Sequence, residues 1–258
     1  MPEISAVIIT FNEELLIERC LTSLQGIADE VVVVDSNSTD STEEICRRYN
    51  VKFIKHAFEG YVEQKNYATS LAVWPHVLAI DADEALSDEL KESILRIKKN
   101  FEFDGYVFNR LNNYCGKWLK HSRGYPDKHL RLFDSTKGKW VGPNPHDKFR
   151  LNPGCRTRRL KGDLLHWSHK SIEEHADKVN RFSTISANEY FKAGQKAGPF
   201  TGLFHMSWSL FRSYILCAGF LDGYLGFISC SISAWGSFLK YSKLRWLSIE
   251  AKKSGKKY

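Results

Sequence analysis

Four apolar runs rich in β-branched residues recur through the first hundred residues: "SAVIIT", "EVVVVD", "VKFIKH" and "HVLAIDADE". Stretches with helical spacing lie between them. "NEELLIERCLTSLQGI" sets Leu15, Leu16, Ile17, Cys20, Leu21 and Leu24 on one side of a helix. "STDSTEEICRRYN" starts a second helix, with Ser41 and Glu44 at capping-box spacing. "YVEQKNYATSLA" and "SDELKESILRIKKN" read as a third and a fourth. Strands this apolar need cover on both faces, and strand–helix alternation supplies it. The pattern therefore predicts an α/β fold on a parallel sheet. Ligands of such sheets bind at the carboxyl ends of the strands.

The pattern changes after about residue 104. "GYVFNRLNNYCGKWL" and "KHLRLFD" read as strands of a mixed sheet, and "KWVGPNPHDKF" as a loop. "RLKGDLLHWSH" is strand-like up to His166. The segment from Ser171 to Gly194 reads as a helix with Ile172, His175, Ala176, Val179, Phe182 and Ile185 on its apolar side. The six cysteines show no CxxC pairing, which predicts ordinary reduced thiols. Pro2 and Glu3 stand where a signal peptide would carry basic residues, so cytosolic residence is expected.

Three of the strands end in polar groups. The first ends at Thr10, Phe11, Asn12 and Glu13, the second at Asp35, the fourth at Asp81. In a parallel sheet these ends share one edge and converge on one cleft. Asp81 and Asp83 are two residues apart, so on one strand they point the same way. Two adjacent carboxylates repel unless a cation intervenes. Hard oxygen ligands suit Mg²⁺ or Mn²⁺, ions that often bridge to substrate phosphates. The alternative for these acids is a solvated turn leading into a helix capped at Ser87.

"SAVIITFNEE", "VVVVDSNSTDST", "QKNYA" and "VLAIDADE", in this order, resemble family-2 glycosyltransferases of the GT-A fold. "HLRLFD", "WVGPNPHDKF", "LLHWSHKSIEEHADKVNRFS" and "GFLDGYLGF" extend the resemblance to a branch acting on the bacterial lipopolysaccharide core, which includes β-1,4-glucosyltransferases. The resemblance implies a mixed, mainly parallel sheet flanked by helices, followed by an apolar helical appendage. From Pro199 onward the composition becomes apolar and aromatic, so a catalytic domain is expected over residues 1–198 and a membrane-associating helical segment with a basic tail over 199–258. By the resemblance, Thr10, Phe11, Asn12 and Glu13 would line the nucleotide pocket. Asp35 would bond the uracil or its ribose, and Lys65 would lie near the nucleotide. Asp81 would face the ribose or stand behind the metal. Asp83 would bind Mg²⁺ or Mn²⁺, which neutralises the departing diphosphate.

Inverting transfer also requires a group that takes the acceptor hydroxyl proton. The resemblance assigns this to Asp147, where related sequences carry His-Glu and this chain has His146-Asp147. The alternative is a loop carboxylate paired with Lys148. His166 is a candidate metal ligand or phosphate contact, or else a core histidine. Arg131 is a candidate contact to acceptor or diphosphate. Trp118, Trp140 and Trp167 are candidates for stacking on sugars, or for ordinary burial.

Residues 213–239 hold a single charge, Asp222. A charge at mid-bilayer costs ~3 kcal/mol on insertion scales, and each helical Gly costs ~1 kcal/mol relative to Ala. A simple span is therefore disfavoured. The expectation is helices lying in the membrane interface, with "FRSYILCAGF" and "ISAWGSFLKY" dipping; a buried hairpin in a soluble dimer is the alternative. Lys240, Lys243, Arg245, Lys252, Lys253, Lys256 and Lys257 face Glu250 alone, so most of the net charge of +7 sits in the tail. Basic charge beside an apolar segment points to an anionic membrane surface rather than to nucleic acid. The expected partners are a nucleotide-sugar donor and a lipid-linked saccharide acceptor, at the inner face of the cytoplasmic membrane. Oligomerisation stays open. A polyprenyl-phosphate acceptor and a non-catalytic nucleotide-sugar-binding protein are the competing functions. A nucleotidyltransferase is disfavoured because no Gly-rich triphosphate loop follows the first strand.

Overall fold

A computed structural model describes residues 2–142 and 147–254. His146, Lys256 and Lys257 lie outside the described residues. The chain forms two compact units, Met1–Leu111 with Asp127–His166, and Asn112–Pro126 with Trp167–Tyr258.

The first unit carries strands β1 (Ile4–Thr10), β2 (Glu30–Asp35), β3 (Lys52–Lys55), β4 (His76–Asp81) and β5 (Glu84–Leu86). Helices α1 (Ile17–Leu24), α2 (Thr42–Arg47), α3 (Tyr61–Ser70) and α4 (Asp88–Lys98) alternate with them. Along the chain then follow β6 (Gly105–Tyr114), β7 (Lys117–Leu119), β8 (Asp127–Asp134), β9 (Gly138–Val141), β10 (Lys148–Leu151) and β11 (Thr157–His169), of which β7 and the ends of β6 and β11 fall in the second unit. The main sheet runs β3-β2-β1-β4-β8-β6-β11-β5. β3, β2, β1 and β4 are mutually parallel. β8 then joins β4 antiparallel, and β6 joins β8 antiparallel. The α/β expectation is thus met by a mixed sheet whose parallel part is the N-terminal half.

Alternate residues of β1 feed two cores. Ile4, Ala6 and Ile8 pack with Ile17, Leu21 and Leu24 of α1 and Leu90 and Ile94 of α4. Val7 faces the other way, with Ala68 of α3, Phe133, Trp140 and Phe149. This period-two division is why the strands read as continuously apolar. β9 and β10 pair as an antiparallel ribbon where the sequence reads as a loop.

Several local expectations change. The fourth strand stops at Asp81, and Ala82 and Asp83 form a turn before β5. The capping box at Ser41 does not form, for its side chain makes no cap bond. Ser41 N donates to Glu14 Oε2 at 3.0 Å, so the donor that Glu44 would use in the box is already taken, and the Asp40 carboxylate accepts from Thr42 N (3.1 Å) and Thr42 Oγ1 (2.5 Å). Ser87 does cap α4, accepting from Leu90 N at 3.3 Å.

The second unit contains α5 (Ile172–Lys192), α6 (Thr201–Leu210) and α7 (Gly223–Lys253). The buried face of α5 is His175, Ser183 and Ala187, while Ile172 and Ile185 are exposed. The apolar side is therefore rotated from the expected one. α7 takes up that face: Lys243 Nζ donates to Asn180 O and Ser183 Oγ, at 2.9 and 2.8 Å. The expected dipping segment "ISAWGSFLKY" lies in this packed part of α7, with Ala234 fully buried and Gly236 leaving room for Val179. The contact division after His166 thus differs from the compositional change near Pro199, because α5 belongs with α7. Among the described residues no single helix is long and apolar enough to cross a membrane, although one bent pair, Thr201–Leu216 with Gly219–Lys253, qualifies by length and composition.

His175 is buried and hydrogen-bonded to the Tyr114 hydroxyl at 3.1 Å, with the His169 ring 4.3 Å away. Burial, aided by Lys178, pushes its imidazole down to about 4, although Glu174 acts in the opposite sense. A depressed folded-state value means that the neutral form is the one the fold stabilises. Stability is therefore complete above the unfolded-state value near 6.5 and falls as the pH drops toward 4. Urea unfolding across that window should show a loss of up to about 3 kcal/mol at the acidic end. His175→Gln should flatten the dependence, and an unchanged slope in that variant would refute the assignment.

Candidate active site

The parallel strands end side by side, as their sequence implies. Thr10 is in register with Asp35, and Ile9 with Asp81. Ser36 N donates to Thr10 O at 2.9 Å, which ties the exits of β1 and β2 together. Beyond them two loops are stitched by side chains. Asn12 N donates to Ser38 Oγ, and Thr39 N donates to Asn12 Oδ1, each at 2.8 Å. Glu13 N donates to Thr42 Oγ1 at 2.9 Å. Asn12 sits at φ 54°, a conformation Asn tolerates better than most residues. Phe11 is left 56% exposed at the rim.

Asp35 is fully buried and faces its own loop. Ser38 N donates to its Oδ2 at 2.8 Å, and Ser38 Oγ donates to its Oδ1. In this state the carboxylate shapes the floor between the two loops. Gln64 of α3 adds a support that the sequence pattern does not single out. It donates to Ser36 Oγ at 3.1 Å and to His56 O at 3.3 Å, and its Oε1 lies 2.9 Å from His56 Nδ1.

The acids after β4 have separate partners. The turn at Ala82 breaks the strand, so Asp81 and Asp83 no longer share the geometry expected of neighbours on one strand face. Asp81 lies 2.7 Å from Arg131 and 3.2 Å from Lys65. Burial opposes its ionisation, but Arg131 and then Lys65 outweigh that and hold its carboxyl well below the usual carboxylate range. The repulsion between Asp81 and Asp83 is thus relieved in part by protein cations. Asp83 Oδ2 is 3.2 Å from His166 Nε2. His166 reaches it because β11 pairs antiparallel with β5, setting His166 opposite Glu84.

Arg131, a candidate contact to acceptor or diphosphate, is only 3% exposed. Its guanidinium donates to Asp81 and Glu84, both at 2.7 Å. Glu84, whose side chain is wholly buried, also accepts from Asp81 N at 2.9 Å. Arg110 adds a contact to Glu84 at 3.5 Å and a closer one to Asp127 at 2.8 Å. Glu84 and Arg110 are the site residues that local sequence undervalues. The one clue is that Glu84 continues the apolar run into a strand with Ala85 and Leu86.

Asp147 pairs with Lys65 at 2.9 Å rather than with the adjacent Lys148. Lys65 therefore links Asp147 to Asp81 and lies 4.8 Å from the centre of the buried Trp140 ring. Trp140 packs on Phe133 and Phe149, and Trp118 packs edge-on against Trp167 at 5.2 Å, so all three tryptophans have protein partners. The small pocket beside this cluster is lined by Val7, Lys65, Ala79, Asp81, Arg131 and Trp140.

No group of three His, Cys, Asp or Glu side chains suited to a metal occurs among the described residues. Asp83 and His166 nevertheless bring one hard oxygen and one imidazole nitrogen to within 3.2 Å. That pair fits Mg²⁺ or Mn²⁺ as a partial ligand set, since such ions keep waters and take substrate phosphates as remaining ligands. Removing the clamp beneath the acids should be felt in stability. Arg131→Met leaves Asp81 and Glu84 without their main cation and should cost about 3–5 kcal/mol in urea unfolding. A loss within experimental error would show that the pair is not holding this edge.

A sequence model described as glycosyl transferase family 2 matches residues 5–158. An uncharacterized glycosyltransferase of Rickettsia typhi is 33% identical over 262 residues, spanning 98% of this chain and 90% of the relative. The lipopolysaccharide core biosynthesis glycosyltransferase LpsC of Rhizobium meliloti is 28% identical, spanning 93% of this chain and 91% of LpsC. The crystal structure of S. aureus TarS 1-349 in complex with UDP superposes with a TM-score of 0.48 at 15% identity, covering 99% of this chain and 93% of that one. The family match covers more than half of the chain, and the Rickettsia relative aligns nearly end to end: the chain belongs to glycosyl transferase family 2.

Proposed function

We propose that the protein transfers glucose from UDP-glucose, with inversion, onto a heptose of the lipopolysaccharide inner core. The observation that carries this reading is the shared edge of β1, β2 and β4. There Thr10 to Glu13, Asp35 and Asp81 to Asp83 end on one side, with Lys65 and Asp147 joined to Asp81. The similarity to LpsC favours a core saccharide as acceptor. The lipid anchor of such an acceptor and the basic C-terminal residues favour work at the inner face of the cytoplasmic membrane.

The donor's nucleoside would lie over the stitched loops, bounded by Phe11, Asn12 and Glu13. Lys65 is the cation that joins the two front acids, one ammonium serving both Asp81 and Asp147. A donor diphosphate offers it a third anionic partner. As the acceptor oxygen bonds to the anomeric carbon, the bond to the diphosphate oxygen breaks and the hydroxyl proton passes to Asp147. Arg131 and Glu84 act from beneath by holding Asp81 ionised and in place. Asp83 and His166 would hold Mn²⁺ or Mg²⁺, which when bound stabilises charge on the departing diphosphate.

Asp83→Asn should abolish transfer and weaken UDP binding measured by calorimetry in Mn²⁺. Undiminished transfer in this variant would overturn the metal assignment. Asp147→Asn should keep UDP-glucose binding and lose turnover by about 100-fold or more. Full turnover would move the base elsewhere and favour a polyprenyl-phosphate acceptor, which is already ionised and needs no base. A donor screen against truncated lipopolysaccharides, read by mass spectrometry, identifies the sugar and acceptor.

A further inference from the structure

The second unit presents a sharp apolar elbow with an unusual charge distribution. α6 runs on through a π-helical turn, Phe211–Leu216, and breaks at Ala218, which sits at φ 54°. A short turn, Gly219–Asp222, leads into α7, and the two limbs meet at 73°. The elbow is closely packed inside. A Cβ at Gly219 would lie 2.8 Å from Ser213 O, and one at Gly226 would lie 2.4 Å from Gly219 O. Both are too close for any side chain.

Its carboxylate is turned inward. Asp222 is the sole acid between Ala193 and Ile249, and it is 4% exposed. It accepts from Lys120 N at 3.2 Å, His121 N at 2.9 Å and His121 Nδ1 at 2.9 Å. Lys117 Nζ donates to its backbone carbonyl at 2.7 Å, and Ser122 N donates to Cys217 O at 2.8 Å. The charge that argues against lipid contact in the sequence is therefore consumed in a latch with the 117–122 segment.

What the elbow turns outward is apolar. Phe204 is 69% exposed, Leu221 59% and Tyr224 71%, and Phe200, Leu216 and Phe220 are also exposed. The nearby polar surface is cationic: Arg212, Lys120 and Arg123 are exposed, and residues 112–126 contain no acid. A protein partner of ordinary composition has no need of a surface stripped of negative charge, whereas an anionic bilayer attracts one. The 73° bend suits a wedge entering one leaflet rather than a helix crossing both.

We propose that this elbow, Phe200 to Phe227, is a one-leaflet insertion wedge for an anionic membrane, held in shape by the Asp222–His121 latch. The assignment goes beyond the transfer reaction and depends on none of its residues. It also shifts the apolar membrane contact away from "ISAWGSFLKY", which packs in α7.

The test is co-sedimentation of the full chain with phosphatidylglycerol–phosphatidylcholine vesicles and with phosphatidylcholine alone. The chain should bind the anionic vesicles more tightly. Phe204→Ser/Leu221→Ser/Tyr224→Ser should reduce that affinity at least ~10-fold, with thermal unfolding unchanged because these side chains are exposed. A second variant, Arg212→Glu/Lys120→Glu, should remove the preference for anionic over neutral vesicles. Trp208 lies in the same limb, so brominated lipids should quench fluorescence in the wild type more than in Trp208→Leu. Absence of vesicle binding, or equal binding by the triple variant, overturns the proposal. So does loss of binding only when the lysines of residues 239–258 are replaced. A dimer seen by sedimentation and abolished by the triple substitution, without vesicle binding, assigns the face to a second copy instead.

Discussion

The guanidinium of Arg131, buried between Asp81 and Glu84, is the contact on which the candidate site depends. Charges withdrawn from water, as Arg131 and Glu84 are, are tolerable only if each finds close partners. β8 makes that possible by pairing antiparallel with β4, which carries Arg131 alongside the strand that ends in Asp81. Arg110, delivered by β6, supports Glu84 from the next strand. The antiparallel half of the sheet thus supplies cations to an acidic edge built by the parallel half. Without it, Asp81, Asp83 and Glu84 would form an unbalanced cluster at the end of a buried strand.

Lys65 extends this balance toward the front of the site. It is held between Asp81 and Asp147, with the Trp140 ring close by. One ammonium shared by two carboxylates is suited to exchange partners when an anionic ligand arrives. Arg131 has no such freedom, being enclosed on both sides. The two cations thus differ in setting: Arg131 is enclosed between Asp81 and Glu84, whereas Lys65 bridges Asp81 and Asp147.

The second unit uses burial in the opposite sense. Its sole acid between Ala193 and Ile249 is hidden, and its aromatic and aliphatic side chains are turned out. Asp222 is satisfied by two backbone amides and an imidazole, so its burial leaves the elbow surface without an exposed carboxylate. Sequence reading weighs Asp222 as a penalty because a linear segment shows a charge among apolar residues and not the amides that meet it.

The alternation of strands and helices, the shared edge of the first, second and fourth strands, and the candidate groups Thr10, Asp35, Asp81 and Asp83 were legible in the sequence. These follow from short-range periodicity and from the rule that parallel strands end on one side. The Asp81–Asp83 geometry was not, because a single turn at Ala82 redirects everything after it. Nor was the pairing of Asp147 with Lys65, residues 82 positions apart. The capping box at Ser41 failed because Glu14, from the loop after β1, takes the Ser41 N–H that Glu44 would have used, a contact between residues 27 positions apart.

Sequence by itself determined that this chain builds an α/β sheet with an acidic edge and ends in an apolar, basic segment. Those properties reside in residue type and spacing, and burial of apolar surface enforces them. Only the tertiary structure decided which acids face cations, that Arg131 is buried between Asp81 and Glu84, and that Asp222 is latched away from the surface. Each of those depends on strands or loops far apart in the chain arriving within hydrogen-bond reach, and local spacing carries no record of such meetings.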